Sequence, residues 1–130
     1  MIDGNGLPLS SLIVAANVGE SYMVETLVET SVDGRFPDRL IYDKAADAKW
    51  LREALARRDV ELICPHRRNR KSPPLQDGRA LRRYLRRWKV ERTISWLQNS
   101  RRLVTRYEHH DYLFNGFVQL TCLCLCLNRF

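Results

Sequence analysis

The chain has 130 residues, 45% of them hydrophobic, with a formal net charge of +7 and a pI near 9.6. That length suits one domain or part of one, and the apolar content is enough for a core, so a wholly disordered chain is excluded. Four cysteines, three of them alternating in one apolar stretch, argue against a disulfide-stapled scaffold, because neighbours at i and i+2 are poorly placed for bridging.

Asp3-Gly4-Asn5-Gly6 opens the chain with a strong turn signal, and Asn-Gly favours a type I′ hairpin. Leu7 to Ala16 supplies the second strand of that hairpin, while only Met1 and Ile2 precede the turn. The chain is therefore expected to begin in the middle of a supersecondary unit. Met1-Ile2-Asp3-Gly4 has no basic region of the kind that opens a signal peptide. A helix is expected from Glu20 to about Val32, ended by Asp33-Gly34.

Arg39-Leu40-Ile41-Tyr42 reads as a short strand ending at Asp43. Ala45 to Arg58 reads as an amphipathic helix, with Trp50, Leu51, Ala54 and Leu55 inward. Val60 to Cys64 is a second short strand, stopped by Pro65. Strand, helix, strand predicts a parallel pair joined by a right-handed crossover. Asp43 then lies at the carboxyl end of its strand, where α/β proteins place functional groups. An ordinary helix-capping role for Asp43 stands beside that reading.

His66 to Gly78, HRRNRKSPPLQDG, is basic and Pro-rich and reads as an exposed loop able to touch phosphates. Arg79 to Tyr107 has neither Pro nor Gly and predicts one long helix, with a break near Asn99-Ser100. At 100° per residue, Tyr84, Arg87, Glu91 and Gln98 share one stripe between two apolar walls. Glu91 is a lone acid among cations; it either faces into a site or balances charge on a solvated helix. Residues 67–106 hold 14 of the 22 Lys and Arg against two acids, Asp77 and Glu91, which suggests a phosphate-backbone partner. Tyr112 to Leu127 predicts an apolar closing helix, weakened by Gly116. Its run from Phe117 to Leu127 is too short to span a bilayer. Cys64, Cys122, Cys124 and Cys126 read as small buried hydrophobes in a reducing cytosol.

Four stretches carry a family resemblance. Asp43-Lys44-Ala45-Ala46-Asp47 resembles a second-aspartate motif usually written DKAYD. Ile63 to Lys71, ICPHRRNRK, resembles the strand and basic loop that follow it. Tyr84, Arg87 and Glu91, followed by WLQNSRRLVTRYE, resemble the signature Tyr-x2-Arg-x3-Glu-x6-Lys, and DGNGLPL resembles the hairpin that precedes these motifs. Over nearly its whole length the chain resembles the carboxyl-terminal part of a bacterial insertion-sequence DDE transposase.

The resemblance implies an incomplete ribonuclease-H-like α/β fold spanning residues 1–130, with about three strands and long α-helices. A complete sheet of that kind runs in the order 3-2-1-4-5, and this chain would keep strands 3, 4 and 5. It implies Asp43 and Glu91 as catalytic, metal-holding acids in DNA cleavage and strand transfer by two Mg²⁺ (or Mn²⁺) ions about 4 Å apart. Tyr84 and Arg87 would orient Glu91 or contact DNA, and Arg67, Arg68, Arg70 and Lys71 would hold phosphates. The implied partners are transposon-end and target DNA, with an N-terminal transposase fragment or a second copy, and no membrane. The implied setting is cytoplasmic and nucleoid-associated.

Three departures qualify these expectations. Gln98 stands at the signature's Lys, which weakens one DNA contact. Ala46 replaces the Tyr of DKAYD. The first catalytic aspartate has no counterpart, since Asp3 sits in the hairpin turn. The chain therefore reads as a truncated or split transposase part, active when completed. The alternative is a non-catalytic DNA-binding remnant or regulator of transposition. An unrelated basic RNA-binding or assembly protein is permitted by composition and disfavoured by the motifs.

Overall fold

The computed structural model describes residues 1–32, 34–69, 71, 73, 76 and 78–128. The chain divides into two units, Ala16–Arg87 and the pair of segments Met1–Ala15 and Trp88–Phe130.

In Ala16–Arg87, a 3-10 turn over Glu20–Met23 leads into α1 (Val24–Glu29), with Val24 and Val28 buried at i and i+4. The helix expected to reach Val32 stops three residues earlier; Asp33, part of its expected stop signal, lies outside the described residues. β1 (Arg39–Ile41), α2 (Lys49–Ala56) and β2 (Glu61–Ile63) follow, and β1 pairs with β2 in parallel, with Arg39 opposite Glu61 and Ile41 opposite Ile63. The parallel pair agrees with the strand, helix, strand pattern. The ends of that register are also tied by side chains, because Arg39 Nε donates to Glu61 Oε2 at 3.0 Å. Asp59, at φ 58°, turns the chain from α2 into β2, a left-handed position that Asp tolerates better than most residues.

Most of the buried apolar side chains among the described residues lie in this unit, with Val118 in the other. Leu51, Ala54 and Leu55 form the buried face of α2, against Val60, Leu62, Ile63 and Cys64 around β2. Each buried Leu or Ile contributes roughly 1.5–3 kcal/mol from area removed from water. Trp50, expected inward, is 43% exposed and stacks on Tyr22 with ring centroids 5.3 Å apart. It falls one position outside the 51, 54, 55 stripe, which is narrower than the composition of α2 suggests. Arg58 ties the end of α2 back to α1, through Glu29 at 2.5 Å and Glu25 at 3.6 Å. α3 (Gly78–Leu81) and a 3-10 segment, Arg82–Arg87, close the unit.

In the other unit, α4 (Trp88–Leu97), α5 (Arg101–Val104) and α6 (Asp111–Leu127) pack with the amino-terminal hairpin. The break expected at Asn99-Ser100 is present, between α4 and α5. The single helix expected from Arg79 to Tyr107 is not. Residues 82–87 wind at three per turn, so angular positions counted at 100° per residue do not carry through them.

The hairpin also differs from its expected form. Gly6 N donates to Asp3 O at 3.2 Å and Asp3 N to Leu7 O at 2.9 Å, with Gly6 at φ 94°. That is a three-residue loop with glycine in the left-handed position. A type I′ turn at Asn5-Gly6 would require positive φ at Asn5 as well, and Asn5 does not have it. The strand expected over Leu7–Ala16 is reduced to one antiparallel bridge, Ile2 to Pro8. Pro8 has no N–H to continue a ladder, and beyond it the pairing ends with Leu9 N and Ser10 N both donating to Met1 O, at 3.0 and 3.4 Å. The sheet therefore has two strands rather than three. The four cysteines are free; Cys64 is buried, Cys122 and Cys126 are half-buried, and Cys124 is exposed, against the expectation that all would be covered. Burial, with the neighbouring Cys126, pushes the Cys122 thiol up.

Candidate metal and nucleic-acid site

β1 delivers Asp43 to its carboxyl end. Tyr42 N still donates to Ile63 O at 3.0 Å, and the chain then leaves the sheet. Asp43 caps the 3-10 turn Lys44–Ala46, its Oδ1 accepting from Ala45 N at 2.7 Å. The capping role weighed from the sequence is thus present. It uses one oxygen. Among the described residues Oδ2 takes no hydrogen bond and faces Arg87, whose Nη1 is 3.9 Å away. Arg87 in turn lies over the ring of Tyr84, 5.8 Å from its centroid. Burial, then the charges of Glu20 and Asp43, push the Tyr42 phenol up.

Two motifs far apart in sequence therefore meet. Asp43 comes from the DKAAD stretch, and Arg87 and Tyr84 come from the stretch ending at Glu91. The resemblance paired Arg87 with Glu91 or with DNA; within its own unit Arg87 also stands 3.9 Å from Asp43.

Asp47 is the residue that the sequence reading passed over. Its side chain is 1% exposed, and it accepts from Arg67 N at 2.9 Å. Arg52 lies 3.7 Å from it and His66 Nδ1 lies 3.5 Å from it. A carboxylate removed from water needs such partners. The available signal was its place closing the Asp43-to-Asp47 motif. Arg67 also reaches the turn itself: Nε donates to Lys44 O at 3.1 Å and Nη2 to Ala45 O at 2.7 Å. Arg68 and Lys71 are exposed; Arg70 lies outside the described residues, as do Ser72, Pro74, Leu75 and Asp77 of the same loop.

Glu91 belongs to the other unit, in the first turn of α4, and is exposed. Its helix is fastened to the hairpin tip. Lys89 Nζ donates to Gly4 O, Arg92 Nη2 to Asn5 O at 3.1 Å and Thr93 Oγ1 to Gly6 O at 2.8 Å. Three successive hairpin carbonyls thus meet residues 89, 92 and 93, one face of the helix. Arg92 is sandwiched between Trp88 and Trp96, at 4.7 and 4.5 Å from their ring centroids. Gln98 is exposed just past the end of α4, its N–H still bonded to Ile94 O at 3.0 Å. Asp3 serves the turn, its Oδ1 accepting from Asn5 N and Leu7 N, each at 2.8 Å.

Asp43 and Glu91 offer carboxylate oxygens, the hard ligands that Mg²⁺ prefers, and Mg²⁺ is commonly held by one or two carboxylates together with water and substrate phosphates. The open Oδ2 of Asp43 fits that use. Among the described residues no group of three or more His, Cys, Asp and Glu side chains is arranged for a metal ion. No helix among them is long and apolar enough to cross a membrane.

A family model described as the transposase DDE domain matches residues 1–127. Over 134 aligned residues the chain is 32% identical to a Burkholderia cepacia protein named as a transposase for insertion sequence element IS402. The alignment covers 97% of this chain and 60% of that protein, so the chain spans rather less than two thirds of its relative's length. No solved structure matches the chain.

Proposed function

The chain belongs to the DDE transposase family, and from that membership we propose that it forms part of a phosphoryl-transfer centre that cuts DNA and joins its ends. In that centre Asp43 would be the second acid and Glu91 the third. The first acid has no counterpart among the matched motifs, Asp3 lying in the hairpin turn, and would be supplied by the upstream part of the catalytic domain. In this reading the parallel β1–β2 pair and α2 are a piece of a ribonuclease-H-like domain.

The observation that supports the reading is the approach of Arg87 to Asp43 at 3.9 Å, near the carboxyl end of β1. When bound by Asp43 and Glu91, Mg²⁺ or Mn²⁺ would lower the barrier by stabilising charge on the oxygens of the phosphate under attack. The chain's own groups position the DNA. Arg87, steadied over the Tyr84 ring, offers a cation beside the acid to a phosphate of the strand being cut. Arg68 and Lys71 offer exposed charge from the loop after β2, and Gln98 a neutral contact past α4.

The test is cleavage of supercoiled DNA by this chain together with the upstream part of the catalytic domain, in Mg²⁺ or Mn²⁺. Asp43→Asn and Glu91→Gln should each lower the rate at least about 100-fold, the scale of removing a group that stabilises transition-state charge. Unchanged cleavage by Glu91→Gln would end the reading. DNA binding should weaken steeply with salt, each phosphate contact adding about 0.9 to the logarithmic slope. A chain that binds with that slope yet cleaves nothing when completed would be the non-catalytic regulator instead.

A further inference from the structure

We propose that Arg67 is a positioning residue for Asp43, anchored by the buried Asp47, and not a ligand for DNA phosphate. The inference rests on the reading of Asp43 as a working acid and concerns what holds that acid in place.

The connection runs through three links. Asp47 Oδ2 accepts from Arg67 N at 2.9 Å, which fixes the backbone where the loop after β2 begins. The Arg67 guanidinium then reaches to Ala45 O at 2.7 Å and Lys44 O at 3.1 Å. Ala45 N donates to Asp43 Oδ1 at 2.7 Å. The Lys44–Ala45 peptide group is thereby held on both sides, its carbonyl by Arg67 Nε and its N–H by Asp43 Oδ1, and Arg67 Nη2 holds the next carbonyl, Ala45 O. One carboxylate oxygen is fixed and Oδ2 is left open.

Three features separate this from an incidental surface contact. The anchor is buried: the Asp47 side chain is 1% exposed and has Arg52 at 3.7 Å. Arg52 is itself tied to β2, with Nη1 donating to Leu62 O at 2.8 Å. The guanidinium fork meets two carbonyls at once, a geometry its rigid plane suits and a lysine cannot reproduce. Both loops leave the carboxyl ends of neighbouring parallel strands, so joining them sets the one edge of the sheet that carries Asp43. A guanidinium bonded to two carbonyls has fewer donors left for phosphate. Arg68, next in sequence and exposed, serves as the comparison.

The experiment uses the full chain labelled with ¹⁵N and ¹³C, as wild type, Arg67→Ala, Arg67→Lys and Arg68→Ala. Three quantities are read: amide exchange at Ala45, Mn²⁺-induced broadening of the Asp43 carboxyl signal, and the salt slope of binding to duplex DNA. Arg67→Ala should speed exchange at Ala45 about tenfold while Leu62 and Ile63 in β2 keep their rates, which separates local release from global unfolding. It should also reduce the Mn²⁺ broadening and leave the salt slope unchanged. Arg67→Lys should restore these only in part. Arg68→Ala should lower the salt slope by about 0.9 and leave Ala45 alone. If instead Arg67→Ala lowers the salt slope by that amount with Ala45 exchange unchanged, Arg67 is a phosphate ligand and the proposal is overturned. Wild-type protein without Mn²⁺ broadening at Asp43 would sink the metal reading alone, and Ala45 exchange would still decide the role of Arg67.

Discussion

Arg87 Nη1 stands 3.9 Å from Asp43 Oδ2, with both side chains partly open to water at 35% and 41% exposure. The pair is too wet to matter much for stability, where exposed ion pairs contribute about 0–1 kcal/mol. Its consequence is electrostatic. A cation beside the carboxylate opposes a second cation binding there, by about 1 kcal/mol per unit charge at this distance in water. Arg87→Gln should therefore shift unfolding by less than about 1 kcal/mol and tighten binding of the divalent Mn²⁺ by about tenfold. Denaturant melts and a Mn²⁺ titration measure the two effects. Weaker Mn²⁺ binding would mean that Arg87 orients the carboxylate rather than competing for it.

The hairpin tip and α4 should behave as one object. Gly6 has φ 94°, and a Cβ there would sit 3.1 Å from Thr93 Oγ1. Thr93 is 2% exposed and bonds Gly6 O. Gly6→Ala should cost about 1–2 kcal/mol, the penalty for a side chain in left-handed backbone. Thr93→Val should cost about 1–3 kcal/mol by leaving a buried carbonyl without its donor. The double variant should fall short of the sum by at least about 0.5 kcal/mol, since both act on one contact. Fluorescence of Trp88 and Trp96, which flank Arg92 on α4, reports the transition.

Core and surface positions on α2 should separate sharply. Leu55 is fully buried, and Leu55→Ala should cost about 2–5 kcal/mol through lost transfer energy and the cavity left behind. Trp50, stacked on Tyr22 and 43% exposed, should cost about 1 kcal/mol when changed to Ala. Equal losses in chemical denaturation would place Trp50 in the core after all.

Tyr42 should make the protein sensitive to alkali. Burial is the larger cause of its raised phenol, ahead of the negative Glu20 and Asp43. The folded phenol holds its proton to higher pH than the unfolded one, whose ordinary value is 10.0. Stability from this group is therefore complete below pH 10.0 and is lost as pH rises through the folded value. Thermal melts between pH 8 and 11 should show a steeper alkaline decline for wild type than for Tyr42→Phe. Identical declines would assign the loss to other groups.

Local signals proved readable where one segment carries its own cause. The strands around Leu40 and Leu62 and the helix between them follow from short apolar runs, turn residues and the 51, 54, 55 spacing. α6 and the interruption at Asn99-Ser100 follow in the same way, and so does the placing of Asp43 at a strand end. The motifs, read together, were enough for the family. Where a segment lacks a neighbour, pattern alone misleads. Leu7–Ala16 has strand-forming residues, but among the described residues its ladder-type backbone partners are confined to Met1–Asp3, and Arg82–Arg87 has helical residues but winds more tightly than α.

Spacing along the chain carried β1, α2, β2 and α6 and the cationic stretch, because periodicity, caps and charge are properties of adjacent residues, and the resemblance supplied the candidate acids. The fold alone brought Arg87 to Asp43, buried Asp47 beneath Arg67 and set Gly6 against Thr93. Those contacts join positions from 20 to 87 residues apart, and no local period encodes which distant groups will satisfy a buried carboxylate or a turn carbonyl once water is excluded.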